Sequence, residues 1–425
     1  MPTVRKRVGA MAALLLVAAH PATAEPAQPT QTSPTFNADQ VREDLEAWLE
    51  WTRSTHPDLS YSVNPATIDD TAKRVSQTLP ETLTRAEAWK AMARLNPLFN
   101  DAHVGLLVPP AADVGADALA VAVSANGDTL EIAPNGDTRG AAARIVAFNG
   151  VPWSDLAQEA MELLRGENDA LRRFIIERRL HGLLRLLLPE GEVTRMTLQT
   201  APTSRIELPI DPSRIRFTPT GASDYALSFE GDTATLFIPS FSRDREREFA
   251  AFLEQAFASI AERESERLVI DISQNGGGAH ELSDRLMAYL TDEPFASTSA
   301  ISARVTPENM AMIPGAALGD VVTVPFSEPV SPPEVLPNRF AGEVAIKLGA
   351  KTYSQAIVFA ATAQDAGLAQ LIGASPNAPA NQTGQVQTLT LPNTGFKVRA
   401  PIYIIYRGSG DRSRDPLKTS APRAP

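Results

Sequence analysis

Residues 233–367 constrain the fold more than any other part of the chain, because strand and helix patterns alternate there without interruption. TATLFIPSF reads as a strand, EREFAAFLEQAFASIAER as an amphipathic helix, RLVIDIS as a strand, HELSDRLMAYLT as a helix, GEVAIKLGA as a strand and SQAIVFAATAQDAG as a helix closed by a glycine C-cap. Strands separated by helices pair in parallel, which predicts an α/β domain with a covered sheet. Ligands of such sheets gather outside the carboxyl ends of the strands.

Two strand-to-helix junctions in this segment are chemically unusual. In VIDISQNGGGAH, Gly276, Gly277 and Gly278 follow an apolar strand. Glycines are conformationally costly and are kept where a side chain would obstruct something. A tight turn and a phosphate loop are the alternatives, and the Gly-Lys-Ser/Thr element of the latter is missing. In LGAKTYSQAIVFAA, Ser354 falls at the first turn of a helix. A serine there is ordinarily an N-cap, but this one shares its sheet edge with the glycine loop. The helix start also offers amides and a positive dipole end to a developing oxyanion.

The rest of the chain narrows the setting. The 425 residues carry a net charge of -11, and no Lys/Arg-rich run occurs beyond the first seven residues, which argues against a nucleic-acid binder. Arg5, Lys6 and Arg7, an apolar run from Val8 to Ala19 and Ala22-Thr23-Ala24 form a secretory signal peptide over residues 1–24. No other stretch is long enough to span a bilayer, so the expected mature protein begins at Glu25, spans no membrane and resides in a bacterial periplasm or outside the cell. With no cysteine, a lipoprotein anchor, disulfides, thiol nucleophiles and cysteine metal sites are all excluded. No paired His/carboxylate spacing advertises a metal, and no cofactor is expected.

The expected domains are a Pro/Gln/Thr-rich linker over 25–35, a helical domain over 36–108, a β-rich insert over 109–208, a linker near Pro209 to Pro219, a catalytic domain over 215–410 and a polar tail over 411–425. The helical domain contains NADQVREDLEAWLEWTRST and TLTRAEAWKAMARLNPLF. The insert contains three strand-like runs and two helices, near Trp153–Leu164 and Leu171–Leu187.

Six segments in order, FNDAHVGL, RIVAFNGVP, ATLFIPSF, LVIDISQNGGG, KTYSQAIVFAATAQDAGLAQLIG and LTLPNTGFKVRAPI, resemble the S41 serine peptidases. That family includes the C-terminal processing proteases and the tricorn core protease. The resemblance covers about residues 95–405. It implies a crotonase-like spiral of ββα units preceded by a helical part and a β-rich or PDZ-like insert, acting on peptide or unfolded protein substrates. It also implies Ser354 as nucleophile, with oxyanion-hole amides from Gln355 and from Gly277 or its neighbour.

For the base, the processing branch uses a lysine about 25 residues after the nucleophile, and ASPNAPANQTG here contains none. The tricorn-like branch uses a histidine near the end of the helical part, where His103 stands. A histidine suits proton transfer near neutrality. His280, beside the glycine loop, is the rival. His56 reads as a loop residue, His181 as solvent-facing, and Lys351 and Lys397 are more distant possibilities. For the carboxylate that orients the base, YRGSGDRSRDPLK offers Asp411 and Asp415 but lacks the family's Pro-Asp pair. The expected activity is that of an exported serine endopeptidase. A peptide-binding protein that keeps the groove without the chemistry and an acyl-CoA enzyme of the crotonase type are the alternatives.

Overall fold

The computed structural model describes residues 34–110, 119–126, 129–132, 143–189, 191–219, 225–326 and 329–420. The leader, its cleavage site and all but the last two residues of the 25–35 linker lie outside them. Two compact units share the chain: residues up to 53, 58–223 and 388–399 form the first, and 54–57, 224–387 and 400 onward the second.

The first unit begins with β1 (Thr35–Asn37), α1 (Ala38–Thr55), α2 (Pro65–Gln77), β2 (Thr82–Thr84) and α3 (Arg85–Ala93). Local signals set these boundaries. Asn64 caps α2 ahead of a proline in its first turn, and Thr84 with Glu87 forms a reciprocal capping box on α3. Trp48, Trp89 and Phe99 are fully buried among them. β3 (Gly105–Leu106) follows and pairs antiparallel with Val398 and Arg399.

Next come β4 (Leu119–Asn126), β5 (Thr129–Ile132), β6 (Ala143–Phe148), β7 (Val151–Pro152), α4 (Trp153–Leu163), α5 (Asp169–Leu187), β8 (Arg195–Ala201), β9 (Ser204–Pro209) and β10 (Ile215–Pro219). They build a sheet in the order β10-β4-β5-β6-β8-β9, with β7 on β6. Residues 215–219 are therefore a strand, parallel to β4, and not the linker that their flanking prolines suggest.

The returning segment 388–399 completes this unit. The carboxylate of Asp44, with no exposed surface, accepts the backbone N–H of Asn393 at 2.9 Å and of Thr394 at 2.8 Å, and the Thr394 hydroxyl at 2.5 Å. Arg85 donates to Thr394 O and lies 4.6 Å over the Phe396 ring.

The second unit holds the alternating segment. β11 (Ala226–Glu230), β12 (Thr233–Phe237), α6 (Glu246–Glu262), β13 (Arg267–Asp271) and α7 (His280–Ala288) come first. β14 (Thr298–Arg304), β15 (Val321–Pro325), β16 (Glu343–Leu348), α8 (Gln355–Asp365) and β17 (Gln370–Gly373) follow. One sheet runs β11-β12-β13-β16-β17, and all its pairs beyond β11–β12 are parallel, as the alternation predicts. Leu236, Leu268, Ile270 and Ile346 bury one face completely, while Val269 and Asp271 on the other face are half-buried.

α8 ends as expected. Gly367, at φ +68°, donates to Gln364 O and Leu368 donates to Ala363 O, which is the Schellman pattern. β18 (Gln382–Thr390) and β19 (Lys397–Arg407) enter a further sheet, β15-β14-β19-β18, that the sequence patterns did not disclose. The expected polar tail is partly structured. Leu417 is buried, and Ser420 donates to Leu371 O at 2.8 Å. No helix among the described residues is long and apolar enough to cross a membrane. The whole is a mixed α/β protein with several sheets.

Candidate active site

β13 and β16 are parallel neighbours, with Asp271 opposite Lys347, so the loops that leave them emerge side by side. Backbone and side-chain bonds tie the two loops together. Thr352 Oγ1 donates to Ile272 O at 2.9 Å, Tyr353 N–H donates to Asn275 O at 3.0 Å, and Thr352 Oγ1 also accepts Gly349 N–H at 2.9 Å. Asn275, with no exposed surface, braces the glycine loop: its Nδ2 donates to Ile238 O at 3.1 Å and its Oδ1 accepts Gly277 N–H at 2.8 Å.

Ser354 stands where these loops meet, at φ +53° and ψ −126°, and its side chain does not cap α8. That conformation is strained for a residue with a β-carbon, and such strain persists where surrounding structure over-determines it. A strained strand-to-helix turn is also how α/β-hydrolases present their nucleophilic serine. Gly277 makes room for it. A β-carbon on Gly277, whose φ is +98°, would lie 2.8 Å from Ser354 Cβ, 2.8 Å from Tyr353 O and 2.9 Å from Gln355 N. The structure thus brings together three of the residues singled out from the sequence, Ser354, Gln355 and Gly277.

The amides around the serine are distributed unequally. Gln355 N–H belongs to the first helical turn, whose amides have no intrahelical acceptor. Gly277 N–H is already bonded to Asn275. In the adjoining bridge to Phe241, Gly277 O and Ala279 N make the bonds, which leaves Gly278 N–H outside the ladder. Ser354 N–H is held by Gln382 Oε1 at 3.2 Å, and Gln382 Nε2 donates to Pro379 O. Gln382 lies in the stretch where a lysine was sought and gave no sequence signal. Gln355 Nε2 donates to Ser283 Oγ at 2.9 Å, and that hydroxyl donates to His280 O at 2.8 Å.

In the first unit, His103 is buried beside Asp101, with Nδ1 3.3 Å from Asp101 Oδ1. His280, in the second, is an exposed first-turn residue of α7 paired with Glu281 at 3.4 Å. His181 does not face solvent as its Arg/Leu-rich surroundings suggest. It is buried edge-on against Phe217, and burial lowers its pKa. His56 is fully buried, and its carbonyl accepts Arg304 Nε at 2.8 Å. Asp411 and Asp415 are both exposed. The Asp411 carboxylate is spent on its own turn, accepting Ser413 N–H at 2.8 Å and Oγ–H at 3.0 Å, and the backbone bond holds its pKa below the usual carboxylate range. Lys397 is exposed and Lys351 half-buried. Among the described residues, no group of three His, Asp or Glu side chains is placed to hold a metal.

The site thus sets a serine in a strained turn against a glycine loop and the first amides of a helix. Residues 232–415 match the model of Peptidase family S41, a match that covers that segment of the chain and supports a serine-type peptidase. A search of curated proteins finds no match. Among solved structures, mature CPAF in complex with lactacystin is similar at 15% identity and TM-score 0.58, over 90% of this chain and 93% of that one. Mature CPAF is similar at 14% identity and TM-score 0.56, over 90% and 92%. The photosystem II D1 C-terminal processing protease aligns at 15% identity and TM-score 0.45, over 90% and 92%. The CPAF likeness establishes a shared fold over nearly the whole chain.

Proposed function

We propose that this chain is an exported serine endopeptidase that cleaves peptides or unfolded proteins through an acyl-enzyme on Ser354, with His103 as general base. The observation that carries the reading is the strained backbone of Ser354 at a strand-to-helix junction, packed against the bare α-carbon of Gly277. Ser354 Oγ attacks the substrate carbonyl carbon while the imidazole of His103 takes its proton. The oxyanion accepts from Gln355 N–H and from the glycine loop. Because Gly277 N–H is engaged by Asn275, Gly278 is the loop's better donor. The tetrahedral intermediate then expels the amine, which receives the proton from the imidazolium, and water repeats the sequence to release the acid. The parallel sheet supports a crotonase-like reading of the second unit, and the antiparallel strands β4, β5, β6, β8 and β9 support a PDZ-like reading of the insert. The segment over residues 1–24 is read as a cleaved leader, so exported protein should begin at Glu25 on N-terminal sequencing.

The test is labelling by a fluorophosphonate probe together with peptide hydrolysis. Ser354→Ala should abolish both without unfolding the chain. His103→Ala should remove the alkaline rise of the acylation rate, while His280→Ala keeps it. A wild-type protein that binds peptide but never labels would instead be a binding protein on a peptidase fold. Loss of labelling in His280→Ala with retention in His103→Ala would overturn the choice of base.

A further inference from the structure

We propose that Asp101 is the positioning residue of this site, holding His103 in the tautomer and orientation that a general base requires. The role anticipated for Asp411 or Asp415 near the chain end thereby falls to a carboxylate two residues before the histidine. The proposal rests on the reading of His103 as base and deepens it.

Asp101 is 3% exposed, and both of its oxygens are committed. Oδ1 accepts His103 N–H at 2.8 Å and lies 3.3 Å from His103 Nδ1, and Oδ2 accepts the hydroxyl of buried Ser62 at 2.6 Å. An ionised carboxylate only accepts, so facing Nδ1 it favours the tautomer with the proton on that nitrogen and the lone pair on Nε2. It also opposes the positive charge that the ring gains on taking a proton. A separation of 3.3 Å is long for such a bond, and catalytic bonds of this kind commonly tighten only in the substrate complex.

The backbone under the pair is fixed from several directions. Asn100 N–H donates to Ser62 O at 2.8 Å, and Ala102 N–H to Glu167 Oε2 at 3.1 Å. Ala102 O accepts Arg165 Nε at 3.0 Å and the Arg399 guanidinium. Leu106 N–H donates to Asn96 Oδ1 at 2.8 Å. The charged groups around the histidine loop are therefore Asp101, Glu167, Arg165 and Arg399, and of these it is Asp101 that faces the imidazole in the described contacts. A side chain that merely capped the 101–104 turn needs neither a buried serine on its second oxygen nor an imidazole beside its first.

The proposal is tested on the full-length protein with a fluorophosphonate probe, reading acylation of Ser354 per folded molecule from acid to alkaline pH. Asp101→Asn should lower that rate on the order of 10²- to 10⁴-fold, the range of general-base and triad-carboxylate losses. The double variant Asp101→Asn with His103→Ala should be no slower than His103→Ala alone, because Asp101 acts through the imidazole. Asp101→Asn at the wild-type rate, with His103→Ala slow, overturns the positioning role and leaves the base intact. His103→Ala at the wild-type rate overturns the base itself, and the proposal with it. Should Asp101→Asn fail to fold, ¹⁵N NMR of the histidines in the wild-type protein decides: His103 protonated at Nδ1 in its neutral form supports the proposal, and protonation at Nε2 overturns it.

Discussion

Gly277→Ala puts the geometry of the nucleophile turn to the sharpest test. The added β-carbon would sit 2.8 Å from Ser354 Cβ, 2.8 Å from Tyr353 O and 2.9 Å from Gln355 N, all inside the closest approach that real side chains show. None of these atoms is the end of a flexible side chain, so relief must come from the backbone of one loop or the other. Holding a non-glycine residue at φ +98° costs about 1–3 kcal/mol, and overpacking adds about 1–3 kcal/mol more. A loss of roughly 2–6 kcal/mol corresponds to a fall in Tm of roughly 5–20 °C for a domain of this size.

The chemical effect should exceed the stability effect. A shift of about 1 Å in a reacting group costs on the order of 100-fold in rate, so labelling of Ser354 should fall at least that far in molecules that remain folded. Thermal melting followed by circular dichroism gives the first quantity, and fluorophosphonate labelling per folded molecule well below Tm gives the second. A Gly277→Ala protein that melts within about 1 °C of the wild type and labels at the same rate would refute the claim that this glycine seats the serine.

Two further perturbations follow from the structure. Ser354→Gly should raise Tm while Ser354→Ala leaves it nearly unchanged, because glycine relieves the strain at φ +53° and alanine keeps it; a gain of about 1 kcal/mol is expected, and both variants should be dead to the probe. Asp284, half-buried on α7, has its pKa pushed up from 3.8 to about 6 by desolvation. Its folded-state proton is held more tightly than the unfolded one, so this group's contribution to stability declines as pH rises between those values, by at most about 3 kcal/mol before solvent screening reduces it. Asp284→Asn should therefore raise Tm at pH 7.5 and leave it unchanged below the unfolded pKa; equal shifts at both pH values would refute the desolvation argument.

The parallel sheet was legible because each of its elements carries its own period and its own stop. The run from Leu268 to Ile270 is apolar, the glycines from Gly276 follow its end, and Gly367 closes α8 by the bonds such a glycine makes. The two junctions were legible for the same reason, since glycine and serine at strand ends are visible as composition. Contacts between distant segments left no such trace. Gln382 reaches Ser354 N–H from 28 residues away and looks like any polar loop residue. β10 hides between prolines, although its pairing with β4 needs only backbone. Asp101 reads as a turn former in FNDAH, and its partnership with Ser62 spans 39 residues. Asp411 drew attention as the expected distant acid, yet a carboxylate in a Ser/Arg/Gly-rich stretch satisfies itself locally, as the bonds to Ser413 do.

The Asp44 carboxylate sets an order of events during synthesis. Its donors, Asn393 and Thr394, are made about 350 residues later, and until they arrive a carboxyl group destined for a dry interior lacks these partners. Closing the helical region over Asp44 is therefore costly while the ribosome is still translating the glycine loop and Ser354. A nascent chain long enough to contain every residue of the proposed chemistry, but stopped short of residue 393, would still lack the segment that completes the first unit. Completion of the first unit is thereby tied to synthesis of residues 393 and 394, and a fragment ending after α8 would be an incomplete body rather than a smaller peptidase.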